Sequence, residues 1–346
     1  MNDLTERQRL ILALVVRDYI ENAQPVGSKS LVERYRLDFS SATVRNEMTV
    51  LSDLGYLRQP HTSAGRVPTE EGYRYFVRQL MVHTELPMQV QRTIQHQFFQ
   101  AGTDPEEWMR LAASVLAQQS QAAALVTSPQ PKTPVFKHLE LIATRGRQVL
   151  MILVSTTGEV HQQMLILAEP VDQERLSQVA NRLNDLCRSK TADEIGKLPG
   201  AFDALEQDIL RLIRDQMRQA EDLLTGEVYR DGLTNVLAEP EFAEVEVARR
   251  ALRLLEERSL LQDLINRTMV TTHIGGVQVL IGGEDNLQEL RECSVVMARY
   301  GVPGLVSGTL GVLGPIRMSY GRTISTVRFV AGVLSDLLGD TMSESG

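Results

Sequence analysis

The stretch SSATVRNEMTVLSDLGYLRQPHTSAGRVPTEEGYRYF, residues 40–76, decides the fold of the N-terminal part of the chain. It opens with a serine that can cap a helix, and Gly55 ends that helix. The apolar residues that would face a core recur at helical spacing, at Val44, Met48 and Leu51. The extended pieces YLRQP and GRVPT then flank HTSA and are placed to pair as a hairpin. Thr69, followed by two glutamates, predicts a further helix.

Two more helices are predicted before this stretch. Thr5 and Gln8 fit a capping box, and apolar residues follow at helical spacing until AQPVGS ends the helix. Ser28 is placed to cap a short second helix with Leu31, Val32 and Tyr35 on its buried side. Three helices, the last two short and closely joined, are typical of a helix-turn-helix. With the hairpin and the fourth helix, the pattern predicts a winged helix-turn-helix.

The distribution of charge around the hairpin is unusual for this chain. From Leu54 to Thr69 there is no Asp or Glu, whereas Arg58, His61 and Arg66 fall inside. The whole chain has 36 basic and 44 acidic residues, and its first 80 residues hold eleven basic and ten acidic ones. The bulk composition therefore does not indicate nucleic-acid binding. The local absence of acids indicates a surface that approaches an anion.

The predicted third helix and hairpin offer side chains suited to DNA. In a helix-turn-helix the last helix lies in the major groove, where Arg can bind guanine, Asn can bind adenine, and Thr offers a hydroxyl and a methyl. The candidate DNA-binding residues are Ser40, Ser41, Ala42, Thr43, Arg45, Asn46 and Thr49 on the helix, and Arg58, His61, Thr62, Ser63 and Arg66 on the hairpin. The alternatives are that these side chains are merely solvated, that Arg45 pairs with Glu47 or Asp53, or that the winged helix docks a protein.

Beyond residue 82 the sequence predicts an α+β domain that is interrupted by a helical insertion. Asp104-Pro105 begins a helix that continues to about Leu125, and a three-stranded meander follows within 135–168. The remaining predictions, in chain order, are a helix near 173–188, wholly helical structure over 191–265, strands in MVTTHIGG and VQVLIGG, a helix near 286–300, a strand in GLVSGTLGVLG and a final helix over 325–338.

One helix of the predicted insertion has a long apolar stripe, formed by Leu205, Ile209, Leu212, Ile213 and Leu223. Such a stripe suits a helix–helix interface between two copies of the chain, so it predicts dimer contacts. Burial of the stripe against the chain's own α+β domain is the alternative.

The sequence carries no pattern for catalysis, a cofactor or a metal. Cys187 and Cys293 are far apart, the six histidines are dispersed, and no nucleophile motif is present. GVLGPIRMSYG lacks the Lys-Ser/Thr ending of a phosphate loop, so its glycines are expected to serve tight turns and close packing. No signal peptide and no apolar run of about 20 residues is seen. We expect a cytoplasmic protein that is not an enzyme and has no membrane association.

Three blocks of sequence, residues 25–77, 228–242 and 311–330, closely resemble the HrcA heat-inducible transcription repressors of bacteria. Ser41 departs from relatives that often have Pro there, which affects only local rigidity. The resemblance implies a homodimer that binds inverted-repeat operator DNA upstream of chaperonin and DnaK-system operons, is released on heat stress, and depends on the chaperonin GroEL for activity. A ligand-responsive winged-helix regulator and a protein-docking scaffold remain the alternatives.

The resemblance also implies the domain order. It gives a winged helix-turn-helix (1–82), a linker (83–104), a GAF-like domain in two parts (105–190 and 266–346) and an inserted helical dimerisation domain (191–265).

Overall fold

The computed structural model describes residues 4–61, 64–81, 85–131, 135–156, 160–223, 226–269, 272–283, 288–303 and 305–344. The chain forms two compact units. Unit 1 contains residues 1–128, 228–302 and 308–346, and unit 2 contains residues 129–227 and 303–307.

The N-terminal elements of unit 1 follow the order predicted from the sequence. They are α1 (Glu6–Asn22), α2 (Ser28–Tyr35), α3 (Ser41–Asp53), the antiparallel pair β1 (Leu57–Arg58) and β2 (Val67–Pro68), and α4 (Glu70–Tyr75), which continues as a π-helical turn over Phe76–Leu80. The three predicted core residues of α3 are buried. The hairpin, the predicted core face and the flanking helices are thereby confirmed.

Helix caps account for most of these boundaries. Thr5 and Gln8 form the predicted capping box, and Thr69 Oγ1 accepts from the Gly72 amide at 3.1 Å. Gly55 follows α3 with φ at +83°, a conformation that costs glycine little. The predicted cap of α2 was wrong by one residue, because Gly27 is its N-cap and Ser28 is its first helical residue.

Along the chain, the next elements are the last of the first segment of unit 1 and the first strand of unit 2. They are α5 (Met88–Gln100), α6 (Pro105–Ser120), β3 (Ala123–Thr127) and the short β4 (Gln130–Pro131). The predicted helix to about Leu125 was wrong at its end. Gln121 has φ at +50° and closes α6, and the following apolar residues form a strand with every residue buried. A short apolar run fits either a helix or a buried strand, which is why its pattern did not decide between them.

Unit 2 consists of an antiparallel sheet with helices against one face. The sheet is the predicted meander of β5 (Phe136–Ala143), β6 (Gln148–Ser155) and β7 (Val160–Ile166), and the helices are α7 (Gln173–Cys187), α8 (Ala192–Ile195) and α9 (Ala204–Leu223). Alternate strand residues such as Leu139, Met151 and Leu153 are buried in one core with α7 and α9. Asn184 of α7 accepts from the Leu139 amide at 2.7 Å and donates to its carbonyl at 2.9 Å.

Unit 1 resumes with β8 (Val228–Asp231), α10 (Leu233–Ala238), α11 (Val245–Glu256), α12 (Arg258–Met269), β9 (Val277–Ile281), β10 (Cys293–Val302), β11 (Val306–Pro315) and α13 (Tyr320–Glu344). A six-stranded sheet has the order β8-β3-β11-β10-β9, and β4 pairs with the start of β11. Residues of β3 and β10 form one core with α11 and α12, whereas α13 packs along β10 and against α6.

Four further differences from the prediction lie in this part of unit 1, and burial on both faces explains the first of them. The region 286–300 was predicted as a helix, but β10 runs through most of it, because a strand covered on both faces has no alternation of polar and apolar residues. The region 191–265 was predicted to be wholly helical, but it contains β8. A turn lies within 272–276, where a strand was predicted. The final helix was predicted too short at both ends. The expectation that glycines of 311–321 serve close packing is confirmed at Gly311, where a Cβ would lie 2.7 Å from the Val296 carbonyl oxygen.

The compact units differ from the predicted domain boundaries. Unit 2 begins at residue 129 and its long segment ends at 227, whereas the insertion was predicted over 191–265. The meander therefore falls in unit 2, and the stretch after 227 belongs to unit 1. The reason is that β3 and β8 are neighbours in one sheet, so the chain leaves that sheet after β3 and the short β4 and returns at β8. No local sequence pattern encodes this relation.

Contacts within unit 1 join the N-terminal helices to the sheet and its C-terminal helix. Arg74 of α4 donates to the Ile281 carbonyl oxygen from Nε at 3.2 Å and from Nη2 at 2.8 Å. The rings of Tyr73 and Tyr320 lie 6.2 Å apart, and burial raises the pKa of Tyr73 well above its ordinary value. These contacts lie within one compact unit, which contains both the N-terminal helices and the sheet.

An ion cluster joins two of the three blocks that carry the family resemblance. Arg317 donates from Nε to Glu241 at 2.5 Å and from Nη2 to Glu239. The Arg317 side chain is 15% exposed, and the glutamate side chains are 27% (Glu239) and 24% (Glu241) exposed. Charge-assisted hydrogen bonds at this degree of burial are stronger than those of surface pairs.

Candidate nucleic-acid interface

One face of α3 is presented to solvent by the way the helix is anchored. Ser40 caps it, with its Oγ accepting from the Thr43 amide at 3.1 Å. Because Val44, Met48 and Leu51 are buried, the opposite face carries the predicted candidates. Ser40, Ser41, Ala42, Arg45, Asn46 and Thr49 are exposed, and Thr43 is half-buried. The structure thus brings all the helical candidates to one accessible surface.

The hairpin candidates lie beside this surface. Arg58 and His61 are exposed and Arg66 is half-buried, whereas Thr62 and Ser63 lie outside the described residues. The turn is closed by the Ala64 amide, which donates to the His61 carbonyl at 2.9 Å, and Gln59 Nε2 donates to the Ala64 carbonyl at 3.0 Å.

A groove of about 390 Å³ lies between α3, the hairpin and the start of α2. Its lining residues are Gly27, Ser28, Arg45, Met48, Thr49, Gln59, Ala64, Gly65 and Arg66. Two guanidinium groups face the groove, and none of these described lining residues is acidic. The groove, named here the α3–hairpin groove, is therefore cationic although the chain as a whole is acidic.

Two backbone hydrogen bonds fix the hairpin against the loop that precedes α2. The Val26 amide donates to the Arg66 carbonyl and the Arg66 amide donates to the Val26 carbonyl, both at 2.9 Å. Gly65 permits this approach, since a Cβ on it would lie 2.3 Å from the Val26 carbonyl oxygen. The side chain of Arg66 is thereby held next to the first residues of α2.

The acidic residue on α3 that could neutralise Arg45 is engaged elsewhere. Glu47 accepts from Gln8 Nε2 at 3.1 Å and from Arg7 Nη1 at 3.4 Å, both on α1. Across the described part of the chain, Arg45 forms no ion pair, and neither Glu47 nor Asp53 is its partner. The guanidinium is therefore available to an external anion.

Six of the nine residues that line the groove were not among the predicted candidates. Gly27 and Ser28 come from the start of α2, Gln59, Ala64 and Gly65 come from the hairpin, and Met48 was predicted only as a core residue of α3. The only signal in the sequence was the small residues in PVGS and AGR. Their role depends on the contact between Val26 and Arg66, which are 40 positions apart in the chain and meet only in the tertiary structure.

The apolar stripe predicted to form a dimer is part of the core of unit 2. Ile209 and Ile213 are 1% and 0% exposed, and Leu205 and Leu212 are partly buried against the same core. The Leu223 side chain lies outside the described residues. The prediction for α9 therefore needs correction, because an amphipathic stripe does not specify its partner, and here β5, β6 and α7 cover it.

A different surface of unit 2 is apolar and uncovered. The face of the three-stranded sheet opposite α7 and α9 has rows such as Ile142, Leu150 and Met164, which are neighbours across the strands. Val160, Met164 and Ile166 are 55%, 51% and 71% exposed. We call it the open sheet face, formed by Ile142, Leu150, Ile152, Val154, Val160, Met164 and Ile166.

Within the described ranges the structure offers little to support other kinds of site. No cluster of three or more His, Cys, Asp and Glu that could hold a metal occurs among them. Burial raises the pKa of the Cys187 thiol to about 11 and that of Cys293 to about 12. None of the helices in these ranges is long and apolar enough to span a bilayer.

Comparison with known proteins gives matches along nearly the whole chain. A family model for the HrcA protein C terminal domain matches residues 106–324. The heat-inducible transcription repressor HrcA of Roseiflexus castenholzii is 45% identical over 352 residues, covering 99% of this chain and 97% of that protein. The protein of the same description from Herpetosiphon aurantiacus is 44% identical, with coverages of 99% and 97%. A crystal structure of a hypothetical protein at 2.2 Å resolution aligns with a TM-score of 0.57 and 26% identity, covering 98% of each chain.

Proposed function

The chain belongs to the HrcA family of heat-inducible transcription repressors, and from this premise we propose that it acts as a homodimer on inverted-repeat operator DNA. The family is one of transcription repressors and not of enzymes, as the sequence predicted. The observation that carries the proposal is the cationic α3–hairpin groove, in which Arg45 and Arg66 meet without an acidic lining residue.

In this proposal α3 enters the major groove as the recognition helix of a winged helix-turn-helix. Arg45, Asn46 and Thr49 then face the base edges, where a bidentate side chain discriminates between bases. Ser40, Ser41, Ala42 and Thr43 lie at the helix N-terminus, where amides and hydroxyls suit a phosphate. Phosphate contacts supply affinity and register, and base contacts supply specificity.

The hairpin is the wing in the same proposal. Arg58 and His61 are exposed on it, and Arg66 stands at its base. Cationic side chains in this position suit phosphates or a narrow minor groove. Thr62 and Ser63 are retained as candidates on the sequence alone.

Dimerisation is proposed to use the open sheet face against a second copy of the chain. An inverted repeat is recognised by two DNA-binding domains that are related by two-fold symmetry. A two-fold interface uses the same surface patch on both subunits. The open sheet face is such a patch, since Met164 and its row neighbours are apolar and accessible. An exposed apolar sheet face is otherwise an aggregation hazard.

For the remaining architecture and the response to heat, the resemblance supplies the proposal. We assign the GAF-like domain to the six-stranded sheet of unit 1, with α6 and α10–α13, and the dimerisation domain to unit 2. Chaperonin and DnaK-system operons are the proposed targets, and GroEL is proposed to sustain repressor activity until heat diverts it. Operator occupancy measured across temperature, with and without GroEL, tests this dependence.

The decisive experiment is a footprint on the DNA upstream of a chaperonin operon. Protection of both arms of an inverted repeat, with little binding to a scrambled duplex, is the expected result. Arg45→Ala is expected to cost on the order of 1–3 kcal/mol per half-site and to relax base preference. Full retention of discrimination by Arg45→Ala would count against α3 as the reader.

The two alternatives give different results in the same assay. A protein-docking scaffold would leave both duplexes unprotected. A ligand-responsive regulator would gain or lose binding to the repeat when its small molecule is added, and it would be indifferent to GroEL.

A further inference from the structure

The start of α2 and the base of the hairpin meet at one end of the α3–hairpin groove. Gly27, Ser28 and Arg66 all line it, and the two hydrogen bonds between Val26 and Arg66 hold the segments together. Two donors at this end have no hydrogen-bond partner within the described part of the chain. They are the Ser28 hydroxyl and the Nε of the Arg66 guanidinium.

Ser28 is a buried polar residue at a helix N-terminus. It is 7% exposed, and its hydroxyl forms no hydrogen bond with any residue that the structure describes. The N-cap is Gly27, which has no side chain to accept from the amides of the first turn. By contrast, the hydroxyl of the exposed Ser30 is already used, since it donates to the Gly27 carbonyl at 2.8 Å. The Ser28 oxygen remains accessible from the groove, so its hydroxyl can donate to an acceptor that enters there.

Arg66 presents a second unpaired donor to the same place. Its Nε is buried and has no hydrogen-bond partner in the described part of the chain, although its main chain is bonded to Val26. The guanidinium is therefore oriented by its backbone and left unneutralised. A phosphate is the ligand that combines several acceptor oxygens with a negative charge, and helix N-termini and arginines both favour it.

We propose that Ser28, the first-turn amides of α2 and Arg66 together form an anchor for one DNA backbone phosphate in each half-site. This inference rests on the proposed function, which it deepens by naming a contact outside α3. In this anchor the start of α2 and the base of the hairpin contact the same phosphate. Because α2 packs against α3, it also sets the depth and register at which Arg45, Asn46 and Thr49 reach the base edges.

The anchor predicts a separation between stability and binding. Ala at position 28 removes a hydroxyl that forms no hydrogen bond within the described part of the chain, so Ser28→Ala is expected to unfold at about the same temperature as the unmodified chain. Its affinity for the inverted repeat is expected to fall roughly tenfold per half-site, the usual effect of losing a hydrogen bond to a charged group. Arg66→Gln leaves the main-chain bonds intact and is expected to lower the slope of log affinity against log salt by about 0.9 per half-site.

Ethylation interference on the inverted-repeat duplex tests the anchor directly. Ethylating a phosphate neutralises it, so each contacted phosphate is marked by lost binding. We expect several phosphates per half-site to interfere with the unmodified chain, and one of them to lose that effect in both Ser28→Ala and Arg66→Gln. Ser30→Ala is the matched control and is expected to keep the full pattern.

The outcomes separate this inference from the proposed function. If the unmodified chain does not prefer the inverted repeat to a scrambled duplex, the proposed function fails. If it does, but the two variants keep the full interference pattern or lose different phosphates, the anchor alone is overturned. A fall in the unfolding temperature of Ser28→Ala would assign the residue to packing and overturn the anchor as well.

Discussion

Substitution of Gly65 by alanine is expected to detach the hairpin from α2 without unfolding the chain. A Cβ on Gly65 would lie 2.3 Å from the Val26 carbonyl oxygen and 2.5 Å from its carbon, both backbone atoms, whereas ordinary contact begins near 3.4 Å. The base of the hairpin must therefore move by about 1 Å. Such a shift lengthens the two 2.9 Å hydrogen bonds between Val26 and Arg66 beyond hydrogen-bond range.

The expected cost of Gly65→Ala follows from those two bonds. A net value of about 1 kcal/mol for each gives about 2 kcal/mol for local opening of the hairpin base. The amides of Val26 and Arg66 should then exchange with solvent about thirtyfold faster, because each 1.4 kcal/mol is a factor of ten. Hydrogen exchange resolved at single residues measures this, and affinity for the inverted repeat should fall in the same variant.

Gly332→Ala is the matched control for this substitution. Gly332 lies in α13 with open space where a Cβ would be, so alanine there is expected to stabilise the helix by about 0.5–1 kcal/mol. Exchange at Val26 and Arg66 should not change in the control. If Gly65→Ala also left these two amides fully protected, the argument from close approach would be refuted.

Three further outcomes are expected. Met164→Glu places a charge in the open sheet face and should convert a dimer to a monomer in sedimentation. Gln178→Glu, at an exposed position of α7 on the other side of the sheet, is the control, and a stable dimer of Met164→Glu would exclude this face. Burial raises the pKa of Cys187 to about 11 and that of Cys293 to about 12, so both thiols stay protonated at pH 8. A thiol reagent should therefore label neither cysteine in the folded chain and both in guanidinium chloride. Rapid labelling of the folded chain would contradict their burial. Arg317→Ala leaves two partly buried glutamates without their cation and should lower the free energy of unfolding of unit 1 by roughly 2–3 kcal/mol. Denaturant unfolding followed by the fluorescence of the single tryptophan measures this change. An unchanged midpoint would show that the cluster does not contribute to stability.

The N-terminal elements were determined by the sequence itself. Ser40, Thr69 and the Thr5–Gln8 box set helix starts through bonds that span three residues, and the spacing of Val44, Met48 and Leu51 set the exposed face of α3. These are local interactions, so they can be read without knowing the rest of the fold. The same holds for the meander of unit 2, whose strands alternate because only one face is covered.

Other features were decided only by the tertiary structure, because they depend on what covers a surface. Strand β10 is buried on both faces, so its polar and apolar residues do not alternate. The apolar stripe on α9 packs into the core of its own unit, although the same spacing would also suit an interface with a second chain. The pairing of β3 with β8, across about 100 residues, moved the unit boundaries. The candidate site also depends on the tertiary structure. Arg45 and Arg66 were predicted from the sequence, whereas Ser28 lies beside them only because Val26 and Arg66 pair. A contact between segments so far apart in the chain cannot be predicted from local periodicity.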